Sequence, residues 1–104
     1  MDNVVALDLS AARAQQVIKE IADEHSERVV YTAHAKTQMR KRRITRVQVL
    51  RCLRHGQITE GPARSANGNW QFTIESYSAG TPVAVAAALD HDRNGNLIVV
   101  ITTY

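Results

Sequence analysis

The sequence predicts an α+β domain, with two to three N-terminal helices packed on a four-stranded, mainly antiparallel sheet. Three observations lead there. Apolar residues recur at three-and-four spacing in the first half of the chain, they alternate with polar ones in the second half, and the second half carries two Asn-Gly pairs suited to tight hairpins. At 104 residues, 44% hydrophobic and 22% charged, the chain has the size and balance of one domain with one modest core. Residues 1–28 are expected to supply an N-terminal helix, 29–56 a basic helical segment and 57–104 the antiparallel sheet.

The elements follow in order. Ser10 has the chemistry of a helix cap, and Ala11 to His25 then places Ala14, Val17, Ile18, Ile21, Ala22 and His25 on one face of a helix whose far side is acidic. Arg28 to Thr32 is a short extended candidate. Ala33 to Arg42 reads as a helix with Ala35 and Met39 facing the core. Thr45 and Gln48 form a capping box that opens a helix burying Val49, Leu50 and Leu53 and stopping at Gly56. Gln57–Arg64 is a strand candidate weakened by Pro62, which cannot donate to a ladder and so suits an edge or a bulge. Trp70, Phe72 and Ile74 alternate with Gln71, Thr73 and Glu75 beyond the Asn67-Gly68 turn. Ser78-Ala79-Gly80 turns the chain into Pro82 to Leu89, whose run of small apolar residues predicts a central strand covered on both faces. Asn94-Gly95 makes the next hairpin, and Leu97–Tyr104 is the last strand.

Net charge is +3, but its distribution is uneven. Residues 28–64 hold ten Lys and Arg against one acid, Glu60, while residues 1–27 hold six acids against two cations. Such a block points to a polyanionic partner. Cys52 is the only cysteine, so neither an internal disulfide nor a cysteine-built zinc site is expected, and a reducing, cytoplasmic setting is. Residues 1–10 carry Asp2 and Asp8 without a basic start, so they do not read as a signal peptide, and no apolar run is long enough to cross a bilayer. The four histidines lack metal-cluster spacing, and the chain has no phosphate-binding glycine loop, nucleophile elbow or dinucleotide fingerprint. No metal and no cofactor is expected.

Three places carry chemistry. His34 opens the basic helix, where an imidazole serves as a general acid or base, or else as a structural cap. Lys36, Arg40 and Arg43 fall along one helical stripe and Arg42 on a neighbouring face. Arginine's planar fork holds a phosphate through paired hydrogen bonds and steadies charge in a transition state. On the last strand Thr102 and Tyr104 project to one side and Thr103 to the other. These hydroxyls gain interest only if their face meets the helix bearing His34 and Arg42.

His34-Ala35, Met39, Arg42, Ile44-Thr45, Val49, Leu53 and Gly56, followed by hairpins and a closing Thr102-x-Tyr104, resemble a family of uncharacterised small bacterial domains grouped with RelE-type toxins in the barnase–colicin–RelE ribonuclease fold. The resemblance spans roughly residues 30–104, and the preceding helix is similar to an N-terminal addition of many RelE-like toxins. Gln38 stands where such sequences often hold arginine, and Arg43 where glycine is common. The resemblance implies a toxin of a toxin–antitoxin pair, acting as a metal-independent endoribonuclease on mRNA, free or on the ribosome, and held in check by an antitoxin protein. It marks His34 and Arg42 as candidate catalytic groups, with Thr102 and Tyr104 at the family's end. Lys36, Arg40, Arg43, Arg46, Arg51 and Arg54 would grip the RNA backbone. A non-catalytic RNA- or ribosome-binding module uses the same arginines without His34 chemistry.

Overall fold

A computed structural model describes residues 10–104, so the reading of residues 1–9 lies outside the described residues. The chain forms α1 (Ala11–Glu24), a 3-10 turn (Ser26–Arg28), β1 (Val29–Tyr31), α2 (Ala33–Arg42), α3 (Arg46–His55), β2 (Gln57–Arg64), β3 (Trp70–Ser78), β4 (Thr81–Asp92) and β5 (Gly95–Thr103). This is an α+β fold with three α-helices on one face of a sheet.

The sheet has five strands rather than the four expected, in the order β1-β5-β4-β3-β2. The added strand is β1, the short extended run before α2. It pairs in parallel with β5, Val29 opposite Ile98 and Tyr31 opposite Val100, so the sheet is mixed. Three residues carry no alternation long enough to announce a strand. What makes them one is a partner 69 residues further along the chain.

Helix caps place the helices. Ser10 accepts the Arg13 N–H, Thr32 the Ala35 N–H and Thr45 the Gln48 N–H, each satisfying a donor that the first helical turn leaves free. At Thr45 the Gln48 side chain also reaches back to the cap N–H, completing the box. α1 packs on α3 and β2, α2 on β5, and α3 on β3 and β4. Ile18, Leu53, Ile74, Val85, Leu89 and Ile98 are fully buried at the centre of that core. Gly56 ends α3 with an extended backbone, not the left-handed turn usual for a terminal glycine. Its role is close approach, because a Cβ there would meet the Cys52 and Glu75 carbonyl oxygens at 2.5 and 2.7 Å.

β4 is central, as expected, but on the face away from the helices only Ala88 is buried. Its Val83, Val85, Ala87 and Leu89 meet the helices, while Ala84 and Ala86 stay half-exposed on the other side. This open face of the sheet also carries Gln71, Thr73 and Glu75. On β5 a bulge inserts Ile101, since Ala87 pairs with Val100 and Ala86 with Thr102. The bulge reverses the alternation of the last residues: Thr103 turns into the core opposite Val85, and Thr102 turns to the open face opposite Ala86. The Ile101 carbonyl accepts a hydrogen bond from Thr32 Oγ1 at 3.1 Å, so the residue that caps α2 also pins the bulge.

Candidate functional site

The corner between α2 and α3 gathers Arg40, Arg42, Arg43 and Arg46, none of which meets a carboxylate among the described residues. α2 ends at Arg43, whose φ of 56° and ψ of 42° are left-handed. That conformation is ordinary for glycine and costs an L-residue about 1–2 kcal/mol. The Arg43 and Ile44 N–H groups bond back to the Arg40 and Met39 carbonyls, closing the helix as C-terminal caps do. A glycine would take the same conformation without that cost.

Two grooves flank the corner. One, of about 460 Å³, is lined by Arg42, Arg43, Ile44 and Gln48 on the helical side and by the β3–β4 hairpin and Tyr104 on the other. Gln48 Nε2 donates to Ser78 Oγ at 3.3 Å and ties α3 to that hairpin. The second, also about 460 Å³, runs along the opposite flank of α2 between Lys36, Arg40, Arg43 and Arg46, over a floor of Met39 and Ile44. Arg43 and Ile44 border both. Arg46 stacks its guanidinium 4.6 Å from the centre of the Tyr31 ring, a geometry that fixes the charge in place. Burial pushes the Tyr31 hydroxyl above its ordinary pKa, against the pull of Arg46. A third groove, of about 370 Å³, lies on the open sheet face and includes Thr102 and Tyr104. Tyr104 therefore borders both this groove and the Arg42 groove.

The sequence-derived residues separate accordingly. Arg42, Arg43 and Tyr104 come together in one groove, Lys36, Arg40 and Arg46 join Arg43 in the second, and Thr102 lies beside Tyr104 in the third. His34 is exposed near the start of α2 and lines none of these grooves. Eight residues of α-helix separate it from Arg42, about 12 Å along the axis. Arg51 is exposed on α3. Arg54 lies 3.2 Å from Asp23 of α1 and ties the two helices together. Arg28 is likewise engaged, by Asp92 and the Gly95 and Asn96 carbonyls. That pairing holds the Asp92 carboxyl below its usual pKa, with a further contribution from the Asn94 N–H.

A larger groove of about 540 Å³ lies beside α1 and the β4–β5 hairpin, where Arg13, Glu20, His25, Glu27 and Arg28 mix both signs of charge. Its balance does not favour a polyanion, so the α2–α3 corner is the better candidate. Cys52 is buried, and desolvation pushes its thiol pKa up, which keeps it protonated and unreactive. Among the described residues no group of three or more His, Cys, Asp and Glu is placed to hold a metal ion, and no helix is long and apolar enough to cross a membrane. The sequence marks Gln48 as a cap partner, Glu60 as the lone acid of its block and Gln71 and Thr73 as polar strand positions, but neither these nor Ser78 as site residues. The period-two polar face of β3 was the signal available for two of them.

Fold and site thus define a small α+β domain that presents a cation-lined corner beside an open sheet face. Residues 31–104 match the family described as a domain of unknown function, DUF4258, and the chain belongs to that family. No curated protein and no solved structure matches the chain.

Proposed function

We propose that this protein is the toxin of a toxin–antitoxin pair, a RelE-like, metal-independent endoribonuclease that cleaves mRNA, free or on the ribosome, in the cytoplasm. The observation that carries the reading is the groove where Arg42 and Arg43 face Tyr104, because it joins phosphate-binding guanidinium groups to a hydroxyl that can take part in proton transfer. Lys36, Arg40 and Arg46 extend the positive surface along the backbone path.

In this reading His34 takes the proton of a ribose 2′-hydroxyl, whose oxygen attacks the adjacent phosphorus. Arg42 neutralises the charge that builds on the phosphorane. The P–O5′ bond then breaks, and the leaving oxygen takes a proton from the Tyr104 hydroxyl, with Thr102 as a hydrogen-bond partner. The products are a 2′,3′-cyclic phosphate and a 5′-hydroxyl, and solvent takes the proton from His34 and returns one to Tyr104. The distance of roughly 12 Å between His34 and Arg42 along α2 has to be bridged by the substrate and the long arginine side chain.

That distance favours a second reading, a non-catalytic RNA- or ribosome-binding module in which His34 is structural. One experiment separates the two. The chain is induced in cells, alone and with His34→Ala or Arg42→Ala, while growth and mRNA integrity are followed, and the purified proteins are assayed on RNA with and without ribosomes. The enzyme reading expects growth arrest and cleaved mRNA that both substitutions relieve, His34→Ala leaving RNA binding intact. Binding without cleavage by the unsubstituted protein in every arm overturns it in favour of the module.

A further inference from the structure

The groove on the open sheet face has a composition unlike the phosphate-binding corner. Its floor is β4, where Ala86 keeps the surface low between Thr73 of β3 and Thr102 of β5. One wall is β5 with Ile101 and Tyr104, and the other is the bulged part of β2. There Gly61, at φ +83°, sits so close to β3 that a Cβ would meet the Gln71 carbonyl oxygen at 2.5 Å. Only glycine lets β2 bend over the sheet in this way.

Glu60, the single acid among the thirty-seven residues from 28 to 64, lines this groove. A carboxylate is out of place on a surface that holds phosphate. It is in place where the ligand offers hydrogen-bond donors. Thr73 Oγ1 donates to Glu60 Oε1 at 3.2 Å and orients the carboxylate beside Gln71. Because Tyr104 borders both this groove and the Arg42 groove, the base and a phosphate of one nucleotide have room on its two sides. The volume, about 370 Å³, lies at the lower end of the roughly 300–1,000 Å³ usual for small-molecule sites.

We infer that this groove is a nucleobase subsite, with Glu60 selecting bases that carry an exocyclic amino group. The inference rests on the RNA reading of the adjoining corner. The amino groups of adenine and cytosine donate to a carboxylate. Uracil has no amino group, and its ring N–H lies between two carbonyl oxygens that Glu60 repels. Gln71 and Thr102 add hydrogen bonds, and the Tyr104 ring offers a stacking surface.

The test uses 2′-O-methyl hexamers of adenosine, cytidine and uridine, which have no 2′-hydroxyl to attack, titrated by fluorescence anisotropy against the full chain. The adenosine and cytidine oligomers are expected to bind roughly tenfold more tightly than the uridine oligomer. Glu60→Leu, which removes the acceptor, erases that preference, Ala86→Leu erases it by filling the floor, and Arg42→Ala weakens all three oligomers alike. Unchanged thermal midpoints establish that the variants are folded. Equal binding of the three oligomers by the unsubstituted protein, or a preference that survives Glu60→Leu, overturns the subsite and leaves the RNA reading standing. Binding of no oligomer overturns the subsite and, with it, the reading on free RNA, while the assay with ribosomes still tests the rest.

Discussion

Arg28 and Arg54 are each set against a carboxylate, Asp92 and Asp23 respectively, whereas Lys36, Lys41, Arg42 and Arg43 meet none among the described residues. The first pair joins parts of the fold that are remote in sequence. The second group crowds like charges around a helix end, where their mutual repulsion works against the folded state. The difference teaches that a count of arginines does not describe a surface. Cations set against carboxylates hold the scaffold together, and cations that meet none among the described residues face solvent. What holds the repelling group in place is then uncharged: the Thr32 and Thr45 caps, the Met39 and Ile44 contacts with the core and the Gln48–Ser78 bond.

That contrast can be broken first at Thr32. Its hydroxyl caps α2 and pins the β5 bulge, so Thr32→Val is expected to cost about 1–2 kcal/mol of stability in urea denaturation. It is also expected to weaken RNA binding, because the bulge is what turns Thr102 and Tyr104 to the open face. A smaller effect of opposite sign is expected at Arg43. Arg43→Gly removes a left-handed arginine and should raise stability by about 1 kcal/mol. It should also lower the slope of log affinity against log salt by roughly one. A stabilised variant with an unchanged salt slope would show that Arg43 does not face the polyanion. The smallest effect belongs to the paired cations. Asp92 titrates below its ordinary value in the folded state because of Arg28, so its contribution is present above the unfolded value of about 3.9 and is lost as pH falls through the folded one. A thermal midpoint followed below pH 4 should decline less in Asp92→Asn than in the unsubstituted chain.

How much of this was legible depended on how local the cause was. α2 spans Ala33–Arg42 and α3 begins after Thr45, because caps and apolar spacing act within a few residues. The hairpin strands followed from alternation and from turns at Gly68 and Gly80, whose φ values are positive. β1 was seen as an extended run but not as a fifth strand, since its partner is remote. Gly56 was placed correctly for a different reason, and the approach of the Glu75 carbonyl to it is a tertiary fact. In the candidate site, the residue types were legible and their grouping was not. The likeness of Arg54 to its neighbours hid its contact with Asp23, and the bulge at Ile101 has no signature in a run of Ile, Val and Thr.

The parallel pairing of β1 with β5 has a consequence for synthesis. β5 lies between β1 and β4, so the first-made strand of the sheet waits for the last-made one, and the loop to be closed spans most of the chain. Until β5 has emerged, Thr32 lacks its Ile101 partner and Tyr104 is missing from the Arg42 groove. A nascent chain therefore cannot complete the two grooves that Tyr104 borders until its fifth strand has emerged.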